Sequence, residues 1–186
     1  MSSLGQSQGS PAALRGMLIE RLVGDTAEPD KVISAARALG ERALPPIAKA
    51  ISELVPSALQ FELESVELGR IGEMFQTTSD VEPMTVAPSA NSPDALLMSM
   101  DEACVSLFTG LLFGAGPDTP LARIERSLSG TERDICAMLF QRIAEALNGS
   151  GTRAMNVRFP LPKPIVGEDR RKQVHRDGPS ARLMLD

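Results

Sequence analysis

A mixed α/β domain, rich in helix, is the fold class this sequence predicts, and three observations carry it. The stretch Ala95 to Asp118, ALLMSMDEACVSLFTGLLFGAGPD, joins a short apolar run to a helical apolar repeat and a Gly-rich exit. Phe61 to Leu68, FELESVEL, alternates apolar and acidic residues, as a strand with one solvated face does. Two longer segments, Asp30 to Val55 and Thr131 to Leu147, repeat apolar residues at the helical period.

The first of these units organises the reading of the rest. Ala95 to Met100 follows Ser92-Pro93-Asp94 and reads as a buried strand. Asp101 is placed to cap the next helix, and Glu102 puts negative charge at its positive end. Cys104, Leu107, Phe108, Leu111 and Leu112 give that helix one apolar face. Gly114 stands where a left-handed C-cap is wanted, and Pro117 prevents resumption.

Taken in order, residues 1–9 are rich in Ser, Gly and Gln and are expected to be disordered. Ser10-Pro11 opens a helix with Leu14, Met17, Leu18 and Leu22 on one face and Gly24 at its end. Such a helix either docks on its own domain or offers its apolar stripe to a partner groove. Asp30 is expected to cap a second helix, with Val32, Ile33, Ala36, Leu39, Ala43 and Leu44 inward. Pro45-Pro46 is expected to break it and to start a third helix through Ile47, Ala50, Ile51, Leu54 and Val55, which Pro56 kinks or ends. Within FELESVEL the alternation slips between Ser65 and Val66, which predicts a bulge. One helical turn is expected around Ile71 to Phe75 and a short strand at Met84 to Val86, broken by Pro88.

After a loop from Asp118 to Arg126, Ser129-Gly130-Thr131-Glu132 forms a capping box. The helix it opens carries Ile135, Met138, Leu139, Ile143, Ala146 and Leu147 inward and stops at Asn148-Gly149. Pro160, Pro162 and Pro164 then predict an extended stretch, followed by a charged segment. The expected organisation is a flexible N-terminal segment with an amphipathic helix (1–27), a folded domain (28–151) and a Pro-rich charged tail (152–186).

Composition restricts the function classes. A net charge of −5 opposes nucleic acid as the main partner. With no Trp, no Tyr and one histidine, His175, neither base-stacking platforms nor histidine-based catalysis is favoured. No run reaches the ~18 to 20 apolar residues that span a bilayer, and the N-terminus lacks the pattern of a signal peptide, so a cytoplasmic protein is expected. Cys104 and Cys136 read as core thiols, not as metal ligands or nucleophiles. Gly110, Gly114 and Gly116 follow a helix, whereas a phosphate loop precedes one, so no nucleotide cofactor is implied. Arg170, Arg171, Lys172 and Arg176 read as a solvated basic cluster or as a contact for an acidic partner or membrane. The Pro-rich stretch reads as a linker or as a ligand for an SH3-like groove.

These residues, in this order, resemble the FliM family of flagellar motor switch proteins, in its alphaproteobacterial form, over about Asp30 to Gly149. Leu96 to Gly116, ending LLFGAG, matches the family's strand and helix with an LFGG-like end. ERSLSGTERDICAMLFQRIAEAL matches its capped second helix, and Asn91-Ser92-Pro93 keeps part of an Asn-Trp-Ser-Pro-like segment. The resemblance implies a CheC-like middle domain, two related αβ halves about a pseudo-twofold axis, paired with copies of itself in a ring. It implies that Gly114, Ala115, Gly116 and Pro117 form the loop that contacts FliG, with Ala115 departing from the Gly-Gly-x-Gly pattern. It also makes Leu14, Met17, Leu18 and Leu22 the candidate helix for phosphorylated CheY, without the family's acidic-Leu-Leu signature.

In the family a second half-domain and a C-terminal β domain that binds FliN follow. Here Gly149 is followed by what reads as a helix-free tail, so an incomplete domain is expected: the first half and the start of the second. An unpaired sheet edge and an open apolar face favour truncation over a divergent short form. The function implied is relay of chemotaxis signals to the rotor by protein contacts, at the inner face of the cell membrane, with no cofactor and no catalysis. The competing readings are a generic dimerisation module and a CheC-type CheY phosphatase. For the phosphatase, Glu145 and Asn148 fit the signature and Gln141 stands where Asp or Ser is wanted.

Overall fold

The computed structural model describes residues 28–57, 59–74, 81–90, 95–116, 119–120, 122–149, 155–173 and 178–186. The helix face at Leu14 to Leu22, Pro117, the Asn91-Ser92-Pro93 segment and His175 lie outside the described residues. The elements run α1 (Pro29–Ser52), β1 (Leu63–Arg70), α2 (Ile71–Met74), β2 (Met84–Pro88), β3 (Ala95–Ser99), α3 (Glu102–Leu112), α4 (Gly130–Asn148), α5 (Asp169–Gln173) and β4 (Pro179–Leu185). The mixed α/β class expected from the sequence is the one observed.

α1 is one continuous helix, not two. Pro45 and Pro46 both lie inside it. Each removes one helical N–H, so the carbonyls of Glu41 and Arg42 lose their partners. Both prolines, and Glu41 and Arg42, are exposed, so water replaces the missing donors. The helix also starts earlier than expected. Pro29 is its first residue, preceded by Glu28, which makes no side-chain cap. Its buried stripe is Ala36, Gly40, Ala43, Ile47 and Ile51, spaced three or four apart.

That stripe meets two partners. Ile47 and Ile51 join a core with Val105, Phe108 and Leu111 of α3, Leu139 and Phe140 of α4, and Met98 of β3. Further along, Gly40 lies against the β1–β4 ribbon. A Cβ added there would sit 2.9 Å from a methyl of Leu183 and 3.2 Å from those of Leu63.

The ribbon joins the first strand to the last. β1 and β4 pair antiparallel from Leu63↔Leu185 to Arg70↔Pro179. Glu62 and Asp186 extend the pair with reciprocal N–H to carbonyl bonds of 2.8 and 3.0 Å. The bulge falls between Leu63 and Ser65, slightly before the slip read from the sequence.

The last 30 or so residues therefore differ from the tail that their composition suggests. The sequence shows only Ala181, Leu183 and Leu185 in alternation, and their partner strand lies more than a hundred residues upstream. Upstream of β4, the Arg158 backbone N–H donates to the Pro88 carbonyl at 2.9 Å, and the main chains of Met84 and Ile165 exchange bonds of 2.9 and 2.8 Å. Residues 157–165 thus line the edge of the β2–β3 hairpin opposite β3. Proline has no N–H, so Pro160, Pro162 and Pro164 keep this edge from becoming a full strand. Thr85 adds a hydroxyl bond of 3.1 Å to the Pro162 carbonyl. Arg170 is a further correction. Its side chain is only 4% exposed and lies 3.6 Å from the Glu82 carboxylate, whereas Lys172 is solvated and paired with Asp169 at 2.9 Å.

Gly40→Leu is expected to destabilise the fold by about 1 to 3 kcal/mol through overpacking against Leu63 and Leu183. Urea denaturation read by circular dichroism checks it; an unchanged midpoint would mean that α1 does not rest on the ribbon.

Candidate protein-contact turn at the end of α3

The site forms at the end of α3. Asp101 has extended backbone and accepts the Cys104 N–H at 2.7 Å, fixing where the helix begins. Val105, Phe108 and Leu111 anchor its inner face. Cys104, Leu107 and Leu112 pack against the core from its margin, so the buried stripe is rotated slightly from the one the sequence suggests.

At the C-terminus the chain makes a Schellman turn. Gly114 N–H donates to Leu111 O at 3.1 Å and Ala115 N–H to Gly110 O at 2.8 Å. Gly114 holds a φ of 86°, a conformation a Cβ disfavours. Gly116 has no such requirement, and among the described residues a Cβ there would touch only the Thr119 hydroxyl at 3.8 Å. Of the four residues expected in the contact loop, Gly114, Ala115 and Gly116 thus form one rigid, outward turn.

The turn carries a residue that the sequence does not single out. Phe113, its first residue, is 72% exposed. Periodicity hides it, because it directly follows Leu111 and Leu112 and reads as more of the same apolar run. The available signal is scarcity: only six residues of this chain are aromatic, and this one directly precedes a helix-stopping Gly. An exposed aromatic on a rigid turn has the form of a protein-contact anchor.

Beside the turn lies a cleft of about 380 Å³, walled by α3, the 119–126 loop and the start of α4. That loop is tied down at two points. Ser106 Oγ donates to the Ala122 carbonyl at 2.6 Å. Arg126 donates to both oxygens of Glu132 at 2.8 and 2.9 Å. Glu132 also completes the expected capping box with Ser129. The Arg126 hydrogen bonds hold the Glu132 carboxyl down at about 2, outweighing the opposing effect of its burial.

Other candidate groups serve the fold. Burial pushes the Cys104 thiol up to about 12 and the Cys136 thiol up to about 11, so neither is a thiolate at neutral pH. Gln141 takes the Leu161 N–H on its Oε1 at 3.1 Å and donates to Glu145 at 2.9 Å. Asn148 Oδ1 accepts the Val157 N–H at 3.0 Å. The two carboxamides of the phosphatase-like trio thus hold the main chain of residues 157–161 against α4. Among the described residues no His, Cys, Asp or Glu cluster has the makings of a metal site, and no helix is long and apolar enough to cross a membrane.

These features define a mixed α/β domain that displays a rigid, exposed turn beside a preformed cleft. Its architecture is that of the FliM middle domain. A chain in the crystal structure of the FliG–FliM complex from H. pylori superposes with a TM-score of 0.73 at 12% identity, over 86% of this chain and 86% of that one. The FliM middle domain of Vibrio alginolyticus gives 0.60 at 15% identity, over 78% and 90%. FliY of Thermotoga maritima gives 0.54 at 11%, over 86% and 71%. At such identities the likeness is one of fold. No protein-family model matches the sequence, and no curated protein matches it.

Because the Glu132 value in the fold lies below its ordinary 4.5, its contribution is complete above that pH and drains away as pH falls toward about 2. Glu132→Gln is expected to flatten the acid limb of stability over that window. Denaturation midpoints measured across it check this, and an acid limb as steep as in the wild type would contradict it.

Proposed function

We propose that this chain is a component of the flagellar motor switch that transmits chemotaxis signals to the rotor through protein contacts. The observation that carries the reading is the FliM middle-domain fold with its α3 exit turn exposed. One matched chain comes from a complex of FliM with FliG. We assign the FliG contact to Gly114, Ala115 and Gly116, with Pro117 beyond and Phe113 as the apolar anchor. In this reading the segment holding Leu14, Met17, Leu18 and Leu22 receives phosphorylated CheY, and copies of the domain stand side by side in a ring at the cytoplasmic face of the membrane. FliN contacts, which in the family belong to a following β domain, are not assigned to these residues.

Signal transfer requires that phosphorylated CheY favour one of two arrangements of the domain on FliG; a ligand with equal affinity for both would shift nothing. No chemical step is needed. The hydrogen bonds that tie Gln141 Oε1 and Asn148 Oδ1 to the main chain of residues 157–161 support a structural role for these two side chains. The chain is expected to leave the rate of phosphate release from phosphorylated CheY unchanged. Accelerated release would favour the enzyme reading.

Gly116→Asp places charge on the turn without backbone strain and is expected to abolish capture of FliG in a pull-down while leaving the melting temperature unchanged. Gly114→Asp should do the same with some loss of stability, since aspartate at positive φ is strained. Wild-type capture by Gly116→Asp would contradict the assignment.

A further inference from the structure

The cleft beside the turn has a construction that the contact loop alone does not explain. Its walls carry mostly small side chains, among them Gly110, Ala115 and Ala122, with the hydroxyl-bearing Ser106, Thr109 and Thr119 and the larger Ile124 also lining it. Ile124 is buried and belongs to the core, so it does not move aside. The hydrogen bonds from Ser106 and Arg126 hold the outer wall in place. The space is therefore preformed, and an occupant need not spend binding energy on opening it.

Charge at the opening indicates the occupant. The chain as a whole is acidic, at −5. Of the two arginines lining the cleft, Arg126 is engaged by Glu132. Arg123 is exposed and makes no ion pair with any described residue. Small walls with an apolar lining suit a branched aliphatic side chain, and a free guanidinium suits a carboxylate near it.

We propose that this cleft is a docking pocket for a protein segment that presents an aliphatic side chain beside a carboxylate. The side chain lies between Gly110 and Ala122, and the carboxylate pairs with Arg123. Phe113 and the turn then cover one flank. The inference rests on the reading that the partner is FliG, but the pocket chemistry can be examined without it.

The test has two arms on the intact chain. In the first, isovalerate, which carries the same two groups, is titrated while the Ala and Ile methyl resonances are followed. Saturable shifts at Ala115, Ala122 and Ile124, lost in Arg123→Glu, are expected. Shifts that do not saturate, or that spread over the surface, would overturn the pocket. In the second arm, Ala122→Phe fills the cleft from an exposed loop position and Arg123→Glu reverses its rim. Both are expected to weaken FliG binding by about tenfold or more, with unchanged melting temperatures, and the Arg123→Glu effect should shrink as salt is raised. Wild-type affinity in both variants would overturn the proposal. Should the wild type fail to bind FliG while isovalerate still saturates the cleft, the FliG reading fails and the pocket stands.

Discussion

The apolar stripe along α1 is the contact on which the rest of this structure depends. Its C-terminal half, with Ile47 and Ile51, is almost fully buried against α3 and α4. Its middle, at Gly40, lets the β1–β4 ribbon approach as closely as a missing side chain allows. One helix therefore joins the ribbon to the helical core. A break at Pro45-Pro46 would separate them, and the helix avoids one by turning both prolines to solvent.

The α3 exit turn inherits its rigidity from that core. α3 is fixed at one end by the Asp101 cap and along its length by Val105, Phe108 and Leu111. What leaves its C-terminus is consequently held, not loose. The Schellman bonds, the Ser106 tether and the Arg126–Glu132 pair extend the same order to residues 114–116, Ala122 and Arg126. Phe113 is displayed on a support that loses little freedom when a partner arrives, and low ordering cost is what makes a small surface useful for binding.

How much of this was legible in the sequence follows the range of the interactions. Local signals translated directly: Asp101 as a cap, Ser129 with Glu132 as a capping box, Gly114 as the helix stop and the single turn after Arg70 are all where the residues put them. Non-local pairing was not legible. Nothing in Pro179 to Leu185 names a partner strand near Leu63, and nothing in Pro160 to Ile165 says that it lines β2. Arg170 shows the same limit. A run of charged residues reads as solvated, and only the position of Glu82 reveals that one of them is buried. For the site, the glycines were visible because a turn needs them, whereas Phe113 was hidden by the apolar residues before it.

We propose that the α3 exit turn is where this domain meets its partner. Hydrogen–deuterium exchange of the chain with and without FliG tests it most directly, because backbone amides report contact without any substitution. Slowed exchange is expected in 113–116 and in the 122–126 loop, with the β1–β4 ribbon unchanged. Protection confined to the ribbon, or none at the turn under saturating FliG, would contradict it.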